Sequence, residues 1–309
     1  MLYLDILQFA GSMFLIYFSA EFIVRYGKQI AISLGVSRYV IGLTLIAFGT
    51  SFPEFVVSVN ASLMNQPGIV FGNVIGSNIA NIALVLSVCA IMVQIKSDKV
   101  GRNDLIFFLL SAFLAFFFSI DGNVDFIEGV ILLIGFIFYC YTIKRTVGLD
   151  RNKTEKIKSD KLDVYVLIII SCSFFILISG SNAFIDSAIS LAERFNVSSL
   201  AISITLVAIG TSLPELATSI IAVIKKEYEL LTGNIIGSNI MNILMILGPS
   251  AIINNIEVKS DYIPIMLMLF LTFLVYSFNI FNIKITRIFG IVLLIIYIVF
   301  IYSNFYKIV

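Results

Sequence analysis

The segment Val40-Ile-Gly-Leu-Thr-Leu-Ile-Ala-Phe-Gly-Thr-Ser-Phe-Pro-Glu54 returns 161 residues later as Ala201-Ile-Ser-Ile-Thr-Leu-Val-Ala-Ile-Gly-Thr-Ser-Leu-Pro-Glu215, with nine of 15 positions identical. At the same offset, and without a gap, Gly72-Asn-Val-Ile-Gly-Ser-Asn-Ile-Ala-Asn-Ile82 returns as Gly233-Asn-Ile-Ile-Gly-Ser-Asn-Ile-Met-Asn-Ile243, with nine of 11 identical. Chance likeness between apolar helices would preserve Leu, Ile and Val. Here Gly, Thr, Ser, Pro, Glu and Asn are preserved, so the chain is a duplication.

The surroundings of these blocks define their solvent. Hydrophobic residues make up 60% of 309 positions, charged residues 13%, and the mean hydropathy is +1.05. A soluble domain is about 45–50% apolar and about 25% charged, so lipid is the expected surround. A net charge of +1 and the lack of any basic binding motif argue against nucleic acid. The chain has no histidine, which removes the commonest zinc ligand and the usual general base. Cys89, Cys140 and Cys172 lie in apolar runs without paired spacing and read as helix fillers.

A spanning helix needs about 20 mostly apolar residues. Ten such stretches are predicted, at 4–24, 39–64, 69–93, 104–120, 126–143, 163–186, 200–225, 230–254, 261–280 and 286–305. The first has no basic region before it and reads as a span, not a cleaved signal. The fold class is therefore an all-α membrane protein with ten transmembrane helices. Residues 1–143 form a first five-helix repeat, 144–162 a cytoplasmic linker loop, and 163–309 a second five-helix repeat. Basic residues fall mainly in alternate loops: Arg25, Lys28 and Arg38; Lys96, Lys99 and Arg102; seven between Lys144 and Lys161; Lys225 and Lys226; Lys284 and Arg287. That is 17 of 20 and places those loops in the cytoplasm, with both termini outside the cell membrane. Five spans is an odd number, so the second repeat enters the bilayer from the opposite side. Inverted repeats are a transporter architecture whose substrate site lies near mid-membrane.

Pro53 has no N–H and also pushes Phe52 away from helical angles, so a break is predicted around residues 47–52. It should free oxygens of residues such as Ala47 and Thr50, with Ser51 and Glu54 adjacent. Ala208, Thr211, Ser212, Pro214 and Glu215 repeat the pattern. Asn73, Ser77 and Asn81 share one helix face at i, i+4 and i+8, as do Asn234, Ser238 and Asn242. Gly72 and Gly76, and Gly233 and Gly237, allow close helix approach. A proline kink alone is commonly structural, Ser and Asn often serve only as interhelical glue, and Glu21, Arg25 and Glu128 read as snorkelling side chains near helix ends. Two acids at mid-membrane are a different matter, because each costs a few kcal/mol or more. The donor set is carboxylate, hydroxyl, amide and carbonyl oxygen with no sulfur or imidazole, which suits calcium and sodium.

The motifs GTSFPE with GNVIGSNIAN, and GTSLPE with GNIIGSNIMN, resemble the paired alpha-repeats of the sodium/calcium exchanger family within the cation/calcium antiporters, closest to its short prokaryotic members. The resemblance covers nearly the whole chain. It implies a calcium site shared by Glu54 and Glu215 with the carbonyls of Thr50 and Thr211. It implies one sodium site at Ala47, Thr50, Ser51 and Ser77 and its mirror at Ala208, Thr211, Ser212 and Ser238, with Asn81 and Asn242 between them. The expected function is sodium-for-calcium antiport by alternating access, with the helices at 4–24 and 163–186 sliding past the other eight. No bond is made or broken, so no enzyme activity, no cofactor and no obligate protein partner are expected; the partners are the two ions and the bilayer. The alternatives are a calcium/proton or potassium-coupled antiporter, a passive cation channel, and an intramembrane hydrolase, which would need a base for Ser51 or Ser212.

One departure from the family pattern bears on pH. Related prokaryotic exchangers often carry Asp where this chain has Asn242, so this site has two acids instead of three. With one titratable group fewer, calcium flux in the wild type is expected to change less between about pH 8 and pH 6 than in Asn242→Asp. Flux measured across that range in both proteins checks this, and equal profiles would count against it.

Overall fold

A computed structural model describes residues 2–95, 100–153, 163–194, 212–258 and 262–306. The chain is overwhelmingly helical. In order the helices are α1 (Leu2–Leu34), α2 (Arg38–Thr50), α3 (Phe52–Leu63), α4 (Pro67–Met92), α5 (Arg102–Phe118), α6 (Phe126–Lys153), α7 (Val164–Arg194), α8 (Leu213–Ile224), α9 (Tyr228–Ile253), α10 (Ile263–Ile280) and α11 (Arg287–Tyr306). Six are long and apolar enough to cross a membrane unaided, and the bent pair α2–α3 makes a seventh. Large apolar side chains such as Phe14, Phe113, Phe138, Phe175, Phe270 and Phe273 are exposed along these helices. Surface of that extent requires an apolar surround.

The duplication in sequence is a duplication in elements. Adding 161 to the bounds of α3, Phe52 and Leu63, gives those of α8, Leu213 and Ile224. The same shift takes Pro67–Ala80 to Tyr228–Met241 and the π-helical Asn81–Leu86 to Asn242–Leu247. Two small backbone pairings tie the halves together. Strands β1 (Asn123–Val124) and β2 (Ile256–Glu257) are antiparallel with Val124 opposite Ile256, and Ile95 bridges Ile285. Adding 161 to Ile95 gives Ile256, and adding 161 to Val124 gives Ile285, so the shift exchanges one pairing for the other.

The centre of the fold is α4 and α9, whose apolar windows are 83% and 89% buried; those of α1 and α7 are 28% and 39% buried. Helices α1 and α7 pack chiefly on each other, at the periphery. Helix α9 crosses the π-helical turn Gly42–Ile46 of α2 at very short range. A Cβ on Gly42 would strike the Leu230 carbonyl oxygen and lie 3.0 Å from Leu230 Cα, and one on Gly237 would lie 2.8 Å from Ala47 Cβ. Gly233 and Gly237 thus serve the predicted packing role. Around Gly72 and Gly76 no described atom lies within 4 Å of a built Cβ.

Several predicted boundaries move. The stretch at 4–24 continues as helix to Leu34, and the one at 163–186 to Arg194. The linker expected at 144–162 is helical as far as Lys153, an extension of α6. Hydropathy marks where lipid ends, whereas a helix carries on through Lys and Arg at no cost in propensity. The break falls inside the predicted interval, at Ser51, where α2 and α3 meet at 45°. The Ala47 carbonyl is nevertheless not freed: it accepts the Ser51 N–H at 3.0 Å. Proline removes only its own N–H, so the turn before it survives. Of the predicted span at 200–225, residues 200–211 lie outside the described part.

Candidate functional site

Both acidic residues stand in the first turn of a half-helix that begins at a proline. Ser51, at φ −84° and ψ 3°, ends α2, and Pro53 and Glu54 open α3. Ser212, at φ −90° and ψ 7°, precedes Pro214 and Glu215 in α8. Proline suits the first helical turn, where an N–H has no partner in any case. A carboxylate there also faces the positive end of the helix dipole. Both acids are buried, each 1% exposed.

The two half-helices converge. Ser51, from the first half, donates its hydroxyl to Glu215 Oε1 at 3.2 Å. Thr50 has Ile46 O at 3.1 Å and Asn234 Oδ1 at 3.3 Å as acceptors for its hydroxyl. The π-helical turn beginning at Asn242 packs on α3, and that beginning at Asn81 packs on α8. Each asparagine is therefore set beside the other half's acid-bearing helix. Single π turns widen a helix and are frequent where a backbone is shaped for function.

The polar stripe faces the broken helices, as expected from its spacing. Asn73 Nδ2 donates to Glu54 O at 3.1 Å and to Ser58 Oγ at 2.9 Å. Asn234 Nδ2 makes longer contacts with Thr218 and Ser219, at 3.4 and 3.5 Å. Ser58, Thr218 and Ser219 were not singled out from the sequence. Ser58 and Ser219 each follow the acid by four residues at the 161-residue offset, and that signal would have found them. Asn78 and Asn239 instead donate back to Val74 O and Ile235 O of their own helices, both at 2.7 Å. Glu21 and Glu128 do more than snorkel. Glu21 pairs with Lys225, and Glu128 exchanges reciprocal capping bonds with Asp125.

Among the described residues, several buried polar atoms have no hydrogen-bond partner: both carboxylate oxygens of Glu54, Glu215 Oε2, the hydroxyls of Ser77, Ser212 and Ser238, and the side-chain amides of Asn81 and Asn242. Buried polar groups are normally satisfied, and a set of orphans calls for an explanation. These are oxygen-rich and carry two potential negative charges, the donor set that hard cations take from a protein. No group of three or more His, Cys, Asp and Glu residues is brought together among the described residues. Of the predicted site residues, Ala47, Thr50, Ser51, Glu54, Ser77, Asn81, Ser212, Glu215, Ser238 and Asn242 are all buried in this central region. Ala208 and Thr211 lie outside the described residues.

Comparison with known proteins adds independent findings. The family model described as sodium/calcium exchanger protein matches residues 4–144 and 165–306. An uncharacterized membrane protein of Methanocaldococcus jannaschii is 35% identical over 272 residues, covering 88% of this chain and 89% of that one. The sodium/calcium exchanger MaX1 of Methanosarcina acetivorans is 31% identical over 293 residues, covering 81% and 83%. A solved structure of the sodium-calcium exchanger NCX_Mj, soaked with zero Na+ and Ca2+, superposes with a TM-score of 0.86 at 35% identity over 98% of this chain and 100% of that chain.

Proposed function

The chain belongs to the sodium/calcium exchanger protein family, and from that premise we propose that it is an antiporter that exchanges sodium for calcium at one site between Glu54 and Glu215. The observation that carries this reading is the convergence of two buried carboxylates and unpartnered oxygens from both halves of the chain. Calcium bridges Glu54 and Glu215, with Thr50 and Thr211 contributing carbonyls. Sodium ions use Ala47, Thr50, Ser51 and Ser77 on one side and Ala208, Thr211, Ser212 and Ser238 on the other, with Asn81 and Asn242 between. The sets share oxygens, so calcium and the full sodium complement exclude each other.

Ten spans in two inverted five-helix repeats, 1–143 and 163–309, are the architecture proposed for this exchange. Its supports are the 161-residue recurrence of the elements and the two backbone pairings that the same shift interchanges. The bias of basic residues supports a location in the cytoplasmic membrane with both termini outside. In the cycle, α1 and α7 slide across the central α4–α9 body, in keeping with their packing chiefly on each other at the periphery. A doubly negative site without cargo is costly in lipid, which discourages the unloaded protein from switching sides. That penalty couples the two fluxes.

Purified protein in vesicles tests the function. Calcium-45 uptake is expected when an outward sodium gradient is imposed with the pH gradient collapsed, and no uptake without the gradient. Uptake driven only by a proton gradient would favour the proton-coupled alternative, and flux without any counter-ion would favour a channel.

A further inference from the structure

An inverted repeat has an energetic consequence. The conformation sealed at one membrane face becomes the conformation sealed at the other when the two halves trade roles. Were the halves identical, both conformations would have equal free energy. Any resting preference must come from contacts that exist at one end of the molecule only.

One such contact set is present. Glu227 sits in the α8–α9 turn and is buried, 6% exposed. It receives Lys28 of α1 at 2.7 Å and Arg38, which opens α2, at 2.5 Å. Lys225, in the same turn, pairs with Glu21 of α1 at 2.5 Å. The turn is held tightly, with Glu227 N–H on Ala222 O at 2.8 Å and Lys226 at φ 59°. So a peripheral helix is fastened by charge to the rigid central body, at the end where α8 meets α9.

The corresponding positions in the other half carry no charge. Subtracting 161 from Lys225 and Glu227 gives Met64 and Gln66 in the α3–α4 turn, which keeps the same backbone shape with Asn65 at φ 56°. Adding 161 to Glu21, Lys28 and Arg38 gives Asn182, Ile189 and Ser199. All five are uncharged, and residues 55–70 contain no charged side chain at all. The duplication kept the turn and the acid-bearing helices but carries these charged residues in one copy only. Taking one cation away from a buried carboxylate is costly, so sliding α1, which carries Lys28, away from Glu227 opposes opening at this end.

We infer that the Glu227–Lys28–Arg38 cluster, with Glu21–Lys225, is a one-sided ionic latch that biases the unloaded protein toward the conformation sealed at the α8–α9 end. This rests on the alternating-access reading above. Calcium arriving from the latched face must find the minor conformation, so its apparent dissociation constant is the intrinsic one divided by that conformation's population. Calcium arriving from the other face meets a site already open.

The test measures the apparent calcium KM at each face in vesicles of controlled orientation, for sodium-driven calcium-45 exchange. In the wild type, KM is expected to be higher at the latched face. Glu227→Gln should bring the ratio of the two values toward one by roughly five- to tenfold. Glu21→Lys and Lys225→Glu should each shift it in the same direction, and the double swap, which re-forms the pair with reversed charges, should restore the asymmetry. The swap series also decides the matter if Glu227→Gln fails to fold. A ratio unmoved by the single variants, or a double swap that restores nothing, overturns the latch. Failure of wild-type exchange itself would instead overturn the function proposed for the site.

Discussion

Replacing Glu54 with glutamine is expected to lower sodium-driven calcium uptake by about 100-fold or more, and replacing Glu215 should do the same. Glutamine keeps the shape of the side chain and removes one of the two negative charges in the buried site. Two unit charges 4 Å apart interact by about 4 kcal/mol at an effective dielectric constant of 20, and calcium is doubly charged. Only about 2.8 kcal/mol is needed for a hundredfold loss, so the expectation survives even if lower desolvation cost returns half of the Coulombic gain. The two positions differ in their neighbours. Glu215 accepts a hydrogen bond from Ser51, whereas neither oxygen of Glu54 has a partner among the described residues. Calcium-45 uptake into vesicles, with monodispersity on gel filtration as the folding control, checks both variants. Wild-type uptake by either one would remove the proposed site.

Gly42→Leu is the second change expected to have a large effect, and it acts through packing. In an exposed helix, replacing Gly with a better helix former gains up to about 1 kcal/mol. At Gly42 the backbone of α9 occupies the space, with Leu230 Cα 3.0 Å and Asn234 N 3.1 Å from a built Cβ. Overpacking a tight contact costs about 1–3 kcal/mol and occasionally more. A backbone neighbour has no rotamer to yield, so the penalty wins. Even Gly42→Ala should lower the thermal midpoint in detergent, whereas Gly68→Ala, with no described atom within 4 Å, should leave it level or raise it. Gly42→Leu should also abolish uptake, because forcing α2 off α9 separates Thr50 from Asn234 and Ser51 from Glu215. A stable, active Gly42→Leu protein would show that the crossing relaxes without consequence.

Much of this molecule was legible as text. The duplication, the helix break and the two acids follow from Pro, Glu and Asn recurring at a fixed offset in apolar surroundings, because those residue types act locally: proline deletes a donor wherever it stands, and a carboxylate in lipid is costly wherever it stands. Periodicity also placed Asn73 and Asn234 toward the broken helices. Other features were not legible. The π turns at Gly42, Asn81 and Asn242 have no residue signature, since a widened turn is fixed by what the helix packs against.

The amino-acid order alone therefore determined the membrane class, the twofold repetition and the chemical types of the candidate ion ligands, because each depends on composition or short-range backbone chemistry. Only the tertiary structure decided which half supplies Ser51 to Glu215, how closely Gly42 lets α9 approach, and that Glu21, Lys28 and Arg38 meet Lys225 and Glu227. Those partners stand between 164 and 204 positions apart. No helical or strand period reaches across such separations; they are set when apolar faces of distant helices pack and bring their polar edges into register.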